Sequence, residues 1–199
     1  MRKLGIPTVV DRVIQQGIAQ KLQNIWEPLF SDSSYGYRPK RSGQQAIQKV
    51  KEYAEEGYRY AVSVDLSKYF DTLNHELLMN LLHRKIQDMR VLRIIKKYLK
   101  SGVMENGVVS KTEEGSPQGG PLSPLLANIY LNEFDWEMHS RGVKTVRYAD
   151  DIVVFAKSKR AAERLLESSR RHLEGKLKLF PIKNAPNPLP TSNTDDCIF

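Results

Sequence analysis

Tyr148-Ala149-Asp150-Asp151 sets two carboxylates side by side between two short apolar, β-branched runs, Val143–Arg147 and Ile152–Ala156. Alternation and β-branched enrichment predict a strand on each flank, which puts the pair at or near a hairpin tip. Adjacent like charges repel, and a divalent cation between them would supply the missing charge. Hard oxygen ligands suit magnesium. Taken alone, Asp-Asp in a turn is more commonly a solvated bend. Val62-Ser63-Val64-Asp65 ends a second predicted strand on another aspartate, a position where a lone Asp is often only a cap. Three carboxylates meeting at one sheet edge would form a two-magnesium site. One ion would activate a hydroxyl, and the other would neutralise triphosphate charge and the leaving pyrophosphate.

Between these carboxylates lies Glu114-Gly115-Ser116-Pro117-Gln118-Gly119-Gly120-Pro121-Leu122-Ser123-Pro124. The generic reading is a proline- and glycine-punctuated helix entry. Gly119 and Gly120 would also let the backbone approach a flat partner closely. Gln118, which both donates and accepts hydrogen bonds, suits a base or sugar edge. The loop lacks the lysine and spacing of a Walker-type phosphate cradle.

The elements that must position these groups follow from periodicity. Val9, Val10, Val13, Ile14, Ile18, Leu22, Ile25 and Trp26 predict a helix between Thr8 and Phe30. Ser31–Pro39 reads as a polar loop, and Ser42 caps a helix that stops at Gly57. Tyr58–Asp65 reads as a strand. Helices are expected from Asn74, over Arg90–Lys100, over Pro121–His139 and over Lys159–Leu173, with a hairpin at Asn106-Gly107. Hairpins and helices without a regular βαβ rhythm favour an α+β fold.

The chain has 199 residues and a formal net charge of +8, which points to a polyanionic partner such as nucleic acid. The basic residues Arg84, Lys85, Arg90, Arg93, Lys96 and Lys97 read more readily as solvated helix faces than as nucleic-acid contacts. One cysteine, Cys197, excludes an internal disulfide framework and a cysteine-rich zinc site. No run is long and apolar enough to suggest a membrane span.

In this order, the blocks Arg2–Arg12, Ser34-Tyr35-Gly36-Tyr37-Arg38-Pro39, Asp65–Asp71, Gly115–Pro124 and Tyr148–Asp151 resemble the fingers and palm of a group II intron-encoded reverse transcriptase/maturase. The resemblance implies an antiparallel palm sheet with packed helices, partial, mainly helical fingers, and RNA-directed DNA polymerisation. It carries the metal-binding catalytic triad onto Asp65, Asp150 and Asp151, with the Leu66 carbonyl as a further metal contact. Two Mg2+ ions are implied, with Mn2+ as a substitute. Phe70 matches the aromatic gate against a ribose 2′-hydroxyl, Arg2 a fingers contact to the incoming triphosphate, and Gln118 a nucleotide- and template-pocket residue. Ser67, Lys68 and Tyr69 line the same loop, and Arg38, Lys40 and Arg41 fit template-backbone contacts. The implied partners are an intron RNA template, a DNA primer and deoxynucleoside triphosphates, in a bacterial cytoplasm and away from membranes.

The expected organisation is partial fingers over 1–57, palm over 58–179 with finger-side helices inserted, and a proline-rich tail over 180–199, extended or disordered. The family resemblance begins inside the first fingers block, and no thumb or maturase domain is recognisable. After Lys176-Leu177-Lys178-Leu179 the sequence departs from the family pattern. The apolar palm edge exposed there needs a cover, either a homodimer partner or the altered tail. The competing expectation is a non-catalytic RNA-binding or maturase fragment that assists intron splicing.

Overall fold

Thr8 opens the first helix by accepting the Asp11 N–H on its side-chain oxygen at 3.2 Å, and α1 runs Val9–Trp26. The computed structural model describes residues 7–101, 103–105, 108–110, 114–116, 119–181 and 186–189. Pro28 then closes α1 into a short 3-10 turn, Glu27–Leu29. α2 follows at Gly43–Glu55, entered through a complete capping box in which Ser42 and Gln45 satisfy each other's backbone N–H. β1 (Tyr60–Val64), α3 (His75–His83, capped by Asn74) and α4 (Met89–Lys100, capped by Asp88) come next. β2 (Val103–Glu105) pairs antiparallel with β3 (Val108–Ser110). The Asn-Gly turn expected between them lies outside the described residues. α5 (Ser123–Ser140), β4 (Thr145–Tyr148), β5 (Asp151–Ala156), α6 (Lys159–Lys176) and β6 (Asn187–Pro188) complete the order.

Two compact units emerge, one of Met1–Phe30 with Lys68–Tyr130, the other of Ser31–Ser67 with Leu131–Phe199. In the second unit α2 buries Ala46, Val50 and Tyr53 in one core with Val146, Val153 and Phe155 of the sheet.

In the first unit, α3 packs on α4 through an amphipathic pattern that buries Leu78, Leu81 and Leu82 on one helix and Leu92, Ile95 and Leu99 on the other. The outer face of α4 is basic: Arg93, Lys96, Lys97 and Lys100, with Ile94, line an open groove of about 440 Å3. In α1 periodicity gives the helix but not its buried face. Gln15, Ala19, Leu22 and Trp26 are buried, while Val9, Val10, Val13 and Ile14 are exposed.

The second unit is built on a four-stranded antiparallel sheet in the order β4-β5-β1-β6. Strand alternation gives it two apolar faces. Ala61, Val153, Phe155 and Val146 meet α2 on one, and α6 packs against β1 and β5. Both edges are occupied. On β4 the Ser33–Tyr35 segment pairs with Arg147 through Arg147 N–H to the Ser33 carbonyl and Tyr35 N–H to the Arg147 carbonyl, each 2.8 Å. On β1 the tail pairs Asn187 with Ala61 and Pro188 with Tyr60, and Leu189 enters the core. Asn187 and Pro188 are exposed, and Leu189 is the buried member of this segment. No described helix is long and apolar enough to cross a membrane.

Candidate active site

β1 and β5 pair from Tyr60↔Ala156 to Val64↔Ile152. The next position in that register carries Asp65 and Asp151, so the ladder ends on two carboxylates from adjoining strands. Opposed residues of an antiparallel pair share a face. Asp65 and Asp151 therefore stand on the face of Ala61, Ser63, Val153 and Phe155, beyond the part covered by α2. Ser63 donates its hydroxyl to Asp65 Oδ1 at 3.1 Å. Tyr148 opposes Asp151, which leaves Ala149 and Asp150 as a two-residue hairpin loop. Ala149 takes φ +58°, a sign glycine adopts most readily, and Asp150 does not share it.

The turn is held in that form from two sides. Gly36 packs its backbone against it, so that a Cβ there would stand 2.9 Å from Ala149 Cα and 3.0 Å from the Tyr148 carbonyl carbon. This internal approach accounts for the glycine in Tyr35-Gly36-Tyr37. From the opposite face comes Arg147, fully buried. It donates through Nη1 to the Ala149 carbonyl (2.8 Å), through Nη2 to Ser34 Oγ (2.7 Å) and Asp135 Oδ2 (2.6 Å), and through Nε to both Asp135 oxygens (3.0 Å). Asp135 lies on the α5 face shared with Leu131, Phe134 and Met138, where a carboxylate needs a buried cation. Sequence reading missed this network. The signal was present: an aspartate on an apolar helix stripe, and an arginine opposite Ile152 on a covered strand.

Leu66 pairs with Pro181, and Ser67 N–H donates to the Phe180 carbonyl at 3.2 Å. In the other unit, Lys68 takes a left-handed conformation (φ +48°) before the 3-10 turn Tyr69–Asp71. Tyr69 is buried and donates its hydroxyl to the Ala127 carbonyl (2.6 Å), while half-buried Phe70 packs edge-on against it with centroids 5.4 Å apart. Gly115, at φ +89°, docks on this segment. Its N–H donates to the Leu73 carbonyl (2.8 Å), and Ser116 N–H donates to that of Phe70 (2.6 Å). The buried His75 ring hydrogen-bonds the Gly115 carbonyl.

Gly120 departs from expectation, since the group it admits closely is the protein's own. A Cβ there would collide with the Tyr98 hydroxyl and stand 2.5 Å from Gln15 Oε1. Tyr98 also hydrogen-bonds Ser123 at 2.9 Å, and burial raises its pKa. Arg38 differs as well. It is buried and donates to the Ser31 and Ser34 carbonyls (2.7 and 2.9 Å), a loop brace rather than an open phosphate contact. Arg41 pairs with Asp32 at 2.6 Å, and Lys40 is exposed. Arg2 and Gln118 lie outside the described residues.

The donor chemistry around Asp65, Asp150 and Asp151 is all oxygen, partly to fully solvent-facing, and fits a hard dication. Among the described residues, no group of three or more Asp, Glu, His or Cys side chains is disposed to hold a metal ion as it stands. Backbone register brings Asp65, Asp150 and Asp151 to one end of the sheet.

Residues 1–181 match the family described as "Reverse transcriptase (RNA-dependent DNA polymerase)". The chain is 37% identical over 217 residues to Protein YkfC of Escherichia coli (strain K12), covering 90% of this chain and 57% of that protein. It is 47% identical over 136 residues to Group II intron-encoded protein LtrA of Lactococcus lactis subsp. cremoris, covering 68% of this chain and 22% of that protein. A solved telomerase from Candida albicans, in complex with a fragment of telomeric RNA, matches with a TM-score of 0.64 at 14% identity. That match covers 94% of this chain and 36% of the telomerase, and is a likeness of fold alone. The chain thus spans little more than half of the first relative and under a quarter of the second.

Proposed function

We propose that this chain, which belongs to the reverse transcriptase (RNA-dependent DNA polymerase) family, carries the nucleotidyl-transfer centre of an RNA-directed DNA polymerase of the group II intron-encoded type. Asp65, Asp150 and Asp151 are its metal-binding carboxylates, with the Leu66 carbonyl beside them. The observation that carries this reading is the register that ends β1 and β5 on Asp65 and Asp151, with Asp150 in the adjoining turn. When bound, two Mg2+ ions, or Mn2+ in their place, would activate a primer 3′-hydroxyl and neutralise charge on the triphosphate.

The chain's own residues do the holding. Asp65 is presented from a strand end, and Asp150 and Asp151 from a constrained turn, so the carboxylates approach the reacting phosphate from two elements. Phe70, whose ring is backed by buried Tyr69, is the sugar gate, and Arg2 and Gln118 contact the incoming nucleotide. The partners are an RNA template, a DNA primer and deoxynucleoside triphosphates.

Primer extension on an RNA template with Mg2+ tests the assignment. Asp150→Asn abolishes extension while leaving the far-ultraviolet circular dichroism unchanged; extension at the parent rate sinks the reading. The basic outer face of α4 favours a second reading, RNA binding without chemistry. Filter retention of RNA by a parent chain that extends no primer would select it.

A further inference from the structure

We propose that Arg147 is the positioning residue of the carboxylate turn: from the opposite face of the sheet its guanidinium fixes the Ala149 carbonyl and so sets where Asp150 and Asp151 stand. This rests on the reading of those carboxylates as metal-binding. A buried Arg–Asp pair alone would do no more than join α5 to β4. The acceptors beyond Asp135 carry the inference. The Ala149 carbonyl, 2.8 Å from Nη1, belongs to the planar peptide unit that also contains the Asp150 nitrogen. Fixing that oxygen orients the plane from which Asp150 departs. Ala149 is left-handed, a conformation that a non-glycine residue keeps only when its surroundings over-determine it. The Arg147 hydrogen bond is one constraint, and the Gly36 backbone is another.

Both constraints belong to a single assembly. Arg147 also donates to Ser34 Oγ (2.7 Å), and its main chain pairs with Ser33 and Tyr35, the residues that lead into Gly36. One side chain therefore ties the turn, the loop packed against it and α5. The geometry demands a fork. The three nitrogens of one planar guanidinium reach Asp135, Ser34 and Ala149 together, whereas the three donors of a lysine ammonium radiate from one point.

The test uses the 199-residue chain. Mn2+ affinity is read from the paramagnetic resonance of the free ion, and amide exchange by mass spectrometry, comparing the peptide over Tyr148–Ile152 with one from α2. Two variants are made besides Asp150→Asn. Arg147→Lys keeps the charge without the fork. Asp135→Leu with Arg147→Met removes both charges together and leaves no unpaired ion in the core.

Asp150→Asn is expected to lose Mn2+ binding. Both Arg147 variants are expected to bind Mn2+ about 10-fold more weakly, the low end for a support one step behind the ligands. They should also exchange about 10-fold faster over Tyr148–Ile152, with α2 unchanged. Parent-like affinity and exchange in either variant overturns the proposal, as does acceleration that spreads equally to α2. If the parent chain binds no Mn2+, or Asp150→Asn binds as well as the parent, the metal reading fails. The exchange comparison then decides on Arg147 by itself: local acceleration supports the positioning role, and its absence overturns it.

Discussion

The two places that present carboxylates are held in different ways. Asp150 and Asp151 sit on a turn pinned by buried Arg147, itself held by buried Ser34 and Asp135, with the Gly36 backbone packed against the turn. Asp65 ends a strand secured mainly by main-chain pairing, to β5 on one side and to Phe180–Pro181 just beyond it. The Ser63 hydroxyl donates to its carboxylate. A strand end needs no special conformation, so a ladder suffices. A turn with a left-handed alanine does need one, and here a buried ion network constrains it. Side-chain substitutions should therefore be felt at the turn far more than at the strand end.

Asp135→Ala breaks the contrast most severely. It strands the Arg147 charge in the core, and urea denaturation should register a loss of about 3–5 kcal/mol. A midpoint at the parent value would mean the network contributes little. Gly36→Ala comes second. Its Cβ meets the backbone of Tyr148 and Ala149, which cannot yield as a side-chain tip would, and overpacking of this kind costs about 1–3 kcal/mol. A thermal midpoint equal to the parent's would show that the turn relaxes freely. Ser63→Ala, at the strand end, should cost only about 0.5–1 kcal/mol, because the half-exposed Asp65 finds water instead. A loss as large as that of Gly36→Ala would erase the distinction.

The smallest effect lies in α6, which packs on both carboxylate-bearing strands. Burial lowers the His172 pKa below 6.5, opposed by Glu137 and Glu133 and assisted by Lys176 and Arg141. The ring also packs edge-on against Phe134. A histidine depressed in the folded state binds its proton more readily when unfolded, so its contribution is full above pH 6.5 and is lost as the pH falls from there through the lower folded-state pKa. Scanning calorimetry between pH 8 and 5.5 should give a falling midpoint whose slope flattens in His172→Gln. An identical slope in the variant would remove the residue from the account.

Much of this was legible in the sequence. The hairpin followed from two β-branched runs around Ala149-Asp150, Asp65 from the close of an alternating strand, and helix starts from Ser42 and Asn74, each of which caps as its residue type suggests. The supports were harder to read because periodicity reports an element without its orientation. Gln15 is buried on α1 while Val9 and Val13 face outward. Arg38 looked like an exposed cation but braces its own loop. Arg147 lies in an alternating run, where a polar residue ordinarily faces water, and its partner Asp135 lies 12 residues away on another element. Gly120 signalled close approach correctly, but Tyr98 and Gln15 are what approach. The tail offered no periodicity, since a two-residue strand has none.

That short strand has a consequence for how the protein behaves in company. Asn187-Pro188 lies at the outer edge of the sheet, anchored by Leu189 N–H to the Arg59 carbonyl at 2.9 Å. Proline carries no N–H for a further strand to accept, and two residues make too short a template for another molecule's backbone. Beside Tyr60 and Ala61 the sheet therefore ends on a poor template for edge-to-edge association with another molecule.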